Sequence, residues 1–323
     1  MGKAVAVLSI IGAGLIVLGC VVFCTAIALN GWNWEAMSME KYLDNNHDVC
    51  EAFTNISVDT READIVFLPS ADGTCRVLCH EKERMEHKVA VNGDTLEIKL
   101  EDNRKWYQHI NFFSFSTPKL TVYLPEGEYG SLEVRDSTGD VKIDESFAFD
   151  DIDISLTTGD VTNNASVHGL VKIKTTTGHI SLENISAEAI DLVVSTGEIK
   201  ATSIACGGSI SVKVSTGKTE LSDIRCGSLT SKGDTGNISL RNVIADESFK
   251  IERSTGDVKF DQSDAGEIYV KTDTGEVEGS LLSDKVFITH TDTGSIEVPK
   301  LVSGGRCEIS TDTGDIKINI VGK

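Results

Sequence analysis

The sequence predicts an all-β chain. It reads as a single-chain parallel β-solenoid (β-helix) of about ten 19–20-residue coils, preceded by a small β cap and an N-terminal transmembrane helix. Three observations predict this. First, Thr-Gly recurs ten times in residues 130–323: Thr138-Gly139, Thr158-Gly159, Thr177-Gly178, Thr196-Gly197, Thr216-Gly217, Thr235-Gly236, Thr255-Gly256, Thr274-Gly275, Thr293-Gly294 and Thr313-Gly314. Successive glycines lie 20, 19, 19, 20, 19, 20, 19, 19 and 20 residues apart, and a fixed period near twenty marks a stacked repeat. Second, aliphatic residues alternate with polar ones on both sides of each Thr-Gly, which is a strand with one buried face. Third, no stretch of the region keeps apolar residues three and four apart over ten or more positions, as a helix would.

Within a repeat, the position two after glycine reads Val141, Val161, Ile180, Ile199, Thr219, Ile238, Val258, Val277, Ile296 and Ile316. Nine of these ten are β-branched and apolar, so the column is expected to point into the core. Five and seven before glycine stand pairs such as Ile152/Ile154, Val171/Ile173 and Cys307/Ile309. Each repeat thus holds a strand, a Thr-Gly corner, a second strand and a polar turn. Leucine-rich repeats share a period in the twenties but need fixed Leu and Asn positions that are missing here. Stacked threonines would sit about 4.8 Å apart, close enough for a ladder of hydroxyls. The neighbouring glycine is expected to take positive φ. Before Gly294, Val286 and Ile288 are out of phase by one, which predicts a β-bulge. Right-handed crossovers between parallel strands favour a right-handed coil. Ten coils give a rod of roughly 45–50 Å.

Residues 1–34 read as an anchor. Ala4 to Leu29 is an uncharged, mostly apolar run of 26 residues, and about 20 span a bilayer as a helix. Lys3 before it and Trp32 and Trp34 after it place the N-terminus in the cytoplasm and the bulk outside. Two other readings exist: cleavage after Ala26-Ile27-Ala28, against which the apolar run is long, and a lipoprotein box at Val17–Cys20, against which the residues after Cys20 stay apolar. Residues 35–129 lack the Thr-Gly period but show short strand patterns and an Asn92-Gly93 hairpin cue. They are expected to cap the first coil of the solenoid, residues 130–323. Inside the cap, Trp106, Tyr107, Phe112, Phe113 and Phe115 put five of the chain's nineteen aromatics in ten residues. They serve either as cap core or as a contact with membrane or partner.

Several blocks carry a resemblance: Phe53–Thr60, Ala63-Asp64-Ile65, Gly93–Ile98, Val122-Tyr123-Leu124-Pro125, then the Ser-Thr-Gly-Asp-Val type repeats. In this order they resemble the bacterial "putative adhesin" family, a domain of unknown function common in membrane-anchored proteins. The resemblance covers about residues 50–320. It implies an extracytoplasmic β-solenoid and transfers no catalytic residue.

The chemistry that can be excluded follows from charge and motif. A net charge of −20 argues against nucleic acid. No nucleophile elbow, P-loop or His-Glu-x-x-His occurs, and no cofactor or metal is expected. His80 and His87 near Cys75 and Cys79 lack the paired knuckles of a zinc site. Cys206 and Cys226 each lie nine after a repeat glycine, so they should stack on adjacent coils as a disulfide or as two free thiols. Acidic residues beside Thr-Gly, such as Asp140, Asp160, Asp257 and Asp315, form either a calcium ladder or a solvated edge whose Asp side chains cap their own turns. The last strand, with Ile316 and Ile318, reaches nearly to the final residue. It is expected to be an uncovered edge, open to a partner or to edge-to-edge self-association. The function that follows is a membrane-anchored, non-enzymatic binding or adhesion scaffold with an envelope or surface partner. The alternatives are a regulatory partner of an envelope-stress system and a carbohydrate-active β-helix enzyme.

Overall fold

The computed structural model describes residues 2–29, 41–103 and 117–321. After an N-terminal helix, Gly2–Leu29, the described chain is built of strands. From Gly139 onward each coil feeds three parallel ladders. The strand after the corner enters the first ladder, as in Val161–Asn163 against Val141–Ile143 and Ile180–Glu183. A short middle segment enters the second, as in Ser166–Val167 against Ala148 and Phe149. The strand before the next corner enters the third, as in Leu170–Thr177 against Ile152–Thr158 and Ala189–Thr196.

The side of the strand that faces inward is the one the alternation selects. Nine of the ten residues two after glycine, from Val141 to Ile316, are at most 1% exposed, Thr219 included. The tenth, Ile296, is 44% exposed, and the far end of the molecule explains it below. One hydrophobic cluster runs without a break from Ile56 to Ile320.

The alternation of 19- and 20-residue repeats has a structural cause. Cys226 aligns with Ala245, but Ser228 aligns with Ser248, so Asp246 and Glu247 absorb the extra residue at the turn between the second and third ladders. The next coil shifts back, with Ala245 against Ala265 and Ser248 against Glu267. The ladders therefore tolerate the odd residue without losing their phase.

Parallel pairing continues into the preceding region. Asn55–Asp59 pairs with Gly127–Thr138 on one side and Thr95–Asp102 on the other. Asp64–Pro69 lies between Val141–Ile143 and Lys119–Leu124. Two further coils are thus laid on the first Thr-Gly coil, and the nearer of them has Ala63 at the corner in place of glycine. Antiparallel strands then close this end: Met85–Asn92 on Thr95–Asp102, Cys75–Lys82 on Lys119–Leu124, and Tyr42–Val49 on Cys75–Lys82.

At the other end the order in space departs from the order in sequence. Val258–Thr274 and Val277–Leu281 pair onward with Gly305–Thr313 and Ile316–Ile320, the last strands of the chain. Lys285–Thr293 and Ile296–Glu297 pair with those same strands from outside. The chain lays down its outermost coil first and then inserts its final coil beneath it. This overturns the expected open edge at Ile316 and Ile318, which are buried at 0% and 4% exposure. It also overturns the bulge. Lys285–Thr293 runs in unbroken register with Gly305–Thr313, placing Phe287 over Cys307 and Thr289 over Ile309. Val286 and Ile288 simply face outward, because the end coil fills its core columns with Phe287 and Thr289.

Candidate functional site

The corner column is the most repetitive chemistry on the molecule. All ten corner glycines have φ between 128° and 158°, a region L side chains avoid. A Cβ on Gly217 would overlap the carbonyl oxygen of Gly197, and the same clash recurs up the column from Ala63 to Gly294. Nine of the ten corner N–H groups, all but that of Gly294 in the outermost coil, donate to the threonine carbonyl of the next coil, as Gly217 does to Thr235 at 2.8 Å. The flanking threonines align through every coil, including Thr274 with Thr313 and Thr313 with Thr293, and their side chains are exposed.

A second threonine set, three before glycine, is missed by sequence reasoning. Thr175, Thr272, Thr311 and Thr291 each donate a hydroxyl to a neighbouring corner carbonyl, at 3.2, 3.2, 3.0 and 3.0 Å. The signal was present as polar residues in an inward phase. A second corner is also stacked: Asn184, Ser203, Asp223, Asn242 and Gln262 all have φ between 50° and 57°, and Asn and Asp tolerate that region best.

The acidic residues after the corners have a backbone role. The amide of Asp160 donates to Asp140 Oδ1 at 2.9 Å, that of His179 to Asp160 Oδ1 at 2.7 Å, and that of Glu276 to Asp257 Oδ1 at 3.0 Å. Each carboxylate caps the N–H of the next coil. The expectation was that Asp caps its own turn; here it reaches across.

Asp136 differs. It lies in the inward column at the first Thr-Gly corner, and Oδ2 is buried without a partner. Burial pushes its carboxyl up to about 6, against hydrogen bonds from backbone amides of Thr138, Ser137 and Ala63. A raised pKa means that the folded state prefers the neutral acid. That stability is fully present below pH 3.8 and is lost as pH rises through about 6. Asp136→Asn should therefore gain on the wild type by about 1–2 kcal/mol between pH 3.5 and pH 7, read from urea midpoints at the two pH values.

Near the N-terminal end, Thr60, His87 and Glu81 form a hydrogen-bonded relay. Thr60 Oγ1 lies 2.9 Å from His87 Nε2, and His87 Nδ1 lies 2.7 Å from Glu81 Oε2. Asn45 Nδ2 and the His87 amide also donate to Glu81, at 2.6 and 2.7 Å. Burial pushes the Glu81 carboxyl up, but these bonds outweigh it and hold the group below the ordinary range. Nδ1–H donates to the Glu81 carboxylate, and Nε2 faces the Thr60 hydroxyl. The spacing is that of a nucleophile–base–acid triad, but all three residues are at most 5% exposed. Cys79 joins Glu81 and His87 within 4.8 Å, the group of metal-ligand types that the described residues bring together. Both imidazole nitrogens and both carboxylate oxygens are already engaged, so the set fits a network that ties Tyr42–Val49 and the Cys75–Asn92 hairpin to the Thr60 corner. Burial pushes the Cys79 thiol up to about 12, which keeps it protonated and unreactive.

Cys206 and Cys226 stand in adjacent coils, as expected, and are buried free thiols in this structure. Burial pushes the Cys226 thiol up to about 12. The aromatic group Trp106, Tyr107, Phe112, Phe113 and Phe115 lies outside the described residues. An open cleft of about 590 Å³ is walled by residues 48–53, Gly73–Cys75, Pro125 and Tyr129. Phe53 stacks on Tyr129 in its wall, with ring centroids 6.2 Å apart.

The outermost coil is where the described surface changes character. Leu282, Ile288, Ile296 and Val302 are 42%, 49%, 44% and 99% exposed. Phe287, Val298 and Leu301 pack against the core and plug the column. Lys285 fastens the coil. Its ammonium lies 2.6 Å from Asp264 Oδ1, with the two side chains 3% and 11% exposed, and it also donates to Ser283 Oγ at 2.6 Å. The two partners belong to coils separated by the inserted one. Gly305 of the inserted coil is needed for another reason, since a Cβ there would overlap the Gly266 carbonyl oxygen.

In the N-terminal helix, the described side chains from Ala13 to Thr25 are exposed. Among the described residues, no helix is long and apolar enough to cross a membrane.

Comparison with known proteins adds the following. The chain is similar in fold to a crystal structure described as a "putative lipid binding protein" from Parabacteroides distasonis, with 16% identity and a TM-score of 0.51 over 73% of this chain and 96% of that one. A "putative adhesin" from Bacteroides fragilis matches at 16% identity and a TM-score of 0.40, over 86% of this chain and 97% of that one. No curated protein sequence matches significantly. The family model of the Toastrack DUF4097 domain matches residues 53–210 and 205–323. Those spans take in both the Thr-Gly coils and the two coils laid on them. The chain therefore belongs to the Toastrack DUF4097 family.

Proposed function

We propose that this protein is a non-enzymatic binding scaffold, tethered to the cell membrane by its N-terminal helix, with the β-solenoid on the outer side. One observation supports the reading: the strand that follows the N-terminal helix in sequence and the outermost coil lie at opposite ends of one continuous core. The helix leads to Tyr42–Val49, the outermost strand at one end of the ladders, while Lys285–Thr293 is outermost at the other. Side chains such as Leu15, Ile16 and Val22, at 65%, 69% and 61% exposure, pack on nothing in the described protein, which suits a lipid environment. The uncharged run Ala4–Leu29 has the length that a span of about 20 residues requires. The stiffness of a rod wound on stacked glycine corners suits presentation of a surface rather than closure around a substrate.

Two measurements test this. The full chain should float with phospholipid vesicles, and deletion of Gly2–Leu29 should abolish flotation. On intact cells a membrane-impermeant maleimide should label the exposed Cys50, and Cys50→Ser should remove the label. A full chain that stays with the soluble fraction, or Cys50 labelling that appears only after lysis, would refute the tethered reading.

A further inference from the structure

We propose that the outermost coil is a homotypic docking end, at which two copies of the chain pair tip to tip through Lys285–Thr293 about a twofold axis. Among the described residues this strand has one ladder partner, Gly305–Thr313, and Ile296–Glu297 likewise has one, Ile316–Ile320. Their far edges present unpaired backbone donors and acceptors, the usual template for strand addition. The opposite end of the molecule is guarded differently. Its outermost strands, Tyr42–Val49 and Met85–Asn92, carry the exposed charges Asp44, Asp48, Glu86 and Lys88, as protected edges do.

Charge identifies the occupant. With a net charge of −20, two copies repel each other over most of their surface. On the tip strand, Val286–His290 contains no carboxylate. At one flank the Lys285 ammonium is buried on Asp264. At the other, Asp292 Oδ1 lies 3.0 Å from His290 Nε2. A cationic partner would be drawn to the acidic sides of the rod. An uncharged, β-branched edge selects another such edge, and the same strand of a second copy provides one. Antiparallel pairing about Ile288 sets Ile288 against itself, Val286 against His290 and Phe287 against Thr289. That is a closed, isologous contact, the common form for a dimer. It also brings the two exposed Ile288 side chains next to each other.

Pairing in this way does not depend on the tether. Its consequence does, and rests on the tethered reading: the two anchors would point away from each other, so that the dimer bridges two opposed membranes.

Sedimentation velocity of the full chain in detergent micelles tests the pairing directly. The wild type should form dimers as concentration rises. Ile288→Lys and Ile288→Glu should each be monomeric, because like charges then face each other across the axis. An equimolar mixture of the two should recover the dimer, which also shows that both variants fold. A wild type that stays monomeric, dimers that survive Ile288→Lys, open-ended polymers, or a mixture that stays monomeric would each overturn the proposal. Failure of vesicle flotation with dimerisation intact would remove only the bridging consequence.

Discussion

Gly217→Ala should destabilise the protein by about 3–5 kcal/mol, although it adds one methyl group. Gly217 has φ of 139°, so an alanine there is strained before any contact is counted. The new Cβ would also overlap a backbone carbonyl, that of Gly197, and backbone cannot rotate away as a flexible side chain can. A shift of Gly217 away from Gly197 that relieves the overlap lengthens the hydrogen bond from the Gly197 N–H to the Thr216 carbonyl, now 3.0 Å. Because each coil is stabilised by its neighbours, damage at a middle coil is felt on both sides. The control is Thr216→Ala. That side chain is exposed, so the loss should stay within about 0.5 kcal/mol. Urea midpoints of the two variants check the contrast. Equal midpoints would mean that the glycine is not conformationally required.

Lys285→Met should cost about 3–5 kcal/mol, the usual penalty for leaving one member of a buried ion pair alone. The methionine keeps most of the stem, so the effect isolates the ammonium. Asp264, 11% exposed at its side chain, would be left without its partner across the inserted coil. Asp264→Leu alone should be similarly harmful, because it strands the lysine. The double variant Lys285→Met/Asp264→Leu should recover most of the loss, since a well-packed apolar pair replaces a buried ionic one at little net cost. A denaturant double-mutant cycle measures the coupling. Additive losses would show that the two groups do not act as a pair.

How much of this was legible in the sequence depends on what each signal encodes. The buried columns were legible because the period-two alternation around each Thr-Gly fixes which side chains face inward, and Val141 through Ile316 obey it. The corner glycines were legible because ten copies in register leave no other explanation for them. The inverted order of the final coils was not. A repeat sequence specifies what kind of neighbour each strand accepts, but not which of two equivalent coils lies nearer the middle. Val286 and Ile288 did carry a trace of it. Their outward phase, with Phe287 in the core column, marks a coil that closes the rod, yet from sequence alone the same slip reads as a bulge. The ion pair of Lys285 and Asp264 was illegible for the same reason, since it spans a coil that only the inversion places between them. The two coils built by Asn55–Asp59 with Asp64–Pro69 and by Thr95–Asp102 with Lys119–Leu124 were hidden because neither has Thr-Gly between its strands, the first turning at Ala63 instead. The relay of Thr60, Glu81 and His87 joins residues that no local motif connects.

Amide hydrogen exchange followed by mass spectrometry tests most directly whether the chain's last coil lies inside and the preceding coil forms the tip. Peptides covering Ile316–Ile320 should exchange slowly, because the strand pairs along its length with Val277–Leu281 and is covered at Ile316 and Lys317 by Ile296–Glu297. In a sample dilute enough to be monomeric, peptides covering Lys285–Glu297 should exchange first among the coils. The reverse order, a labile C-terminal strand beneath a protected 285–297 segment, would contradict the account.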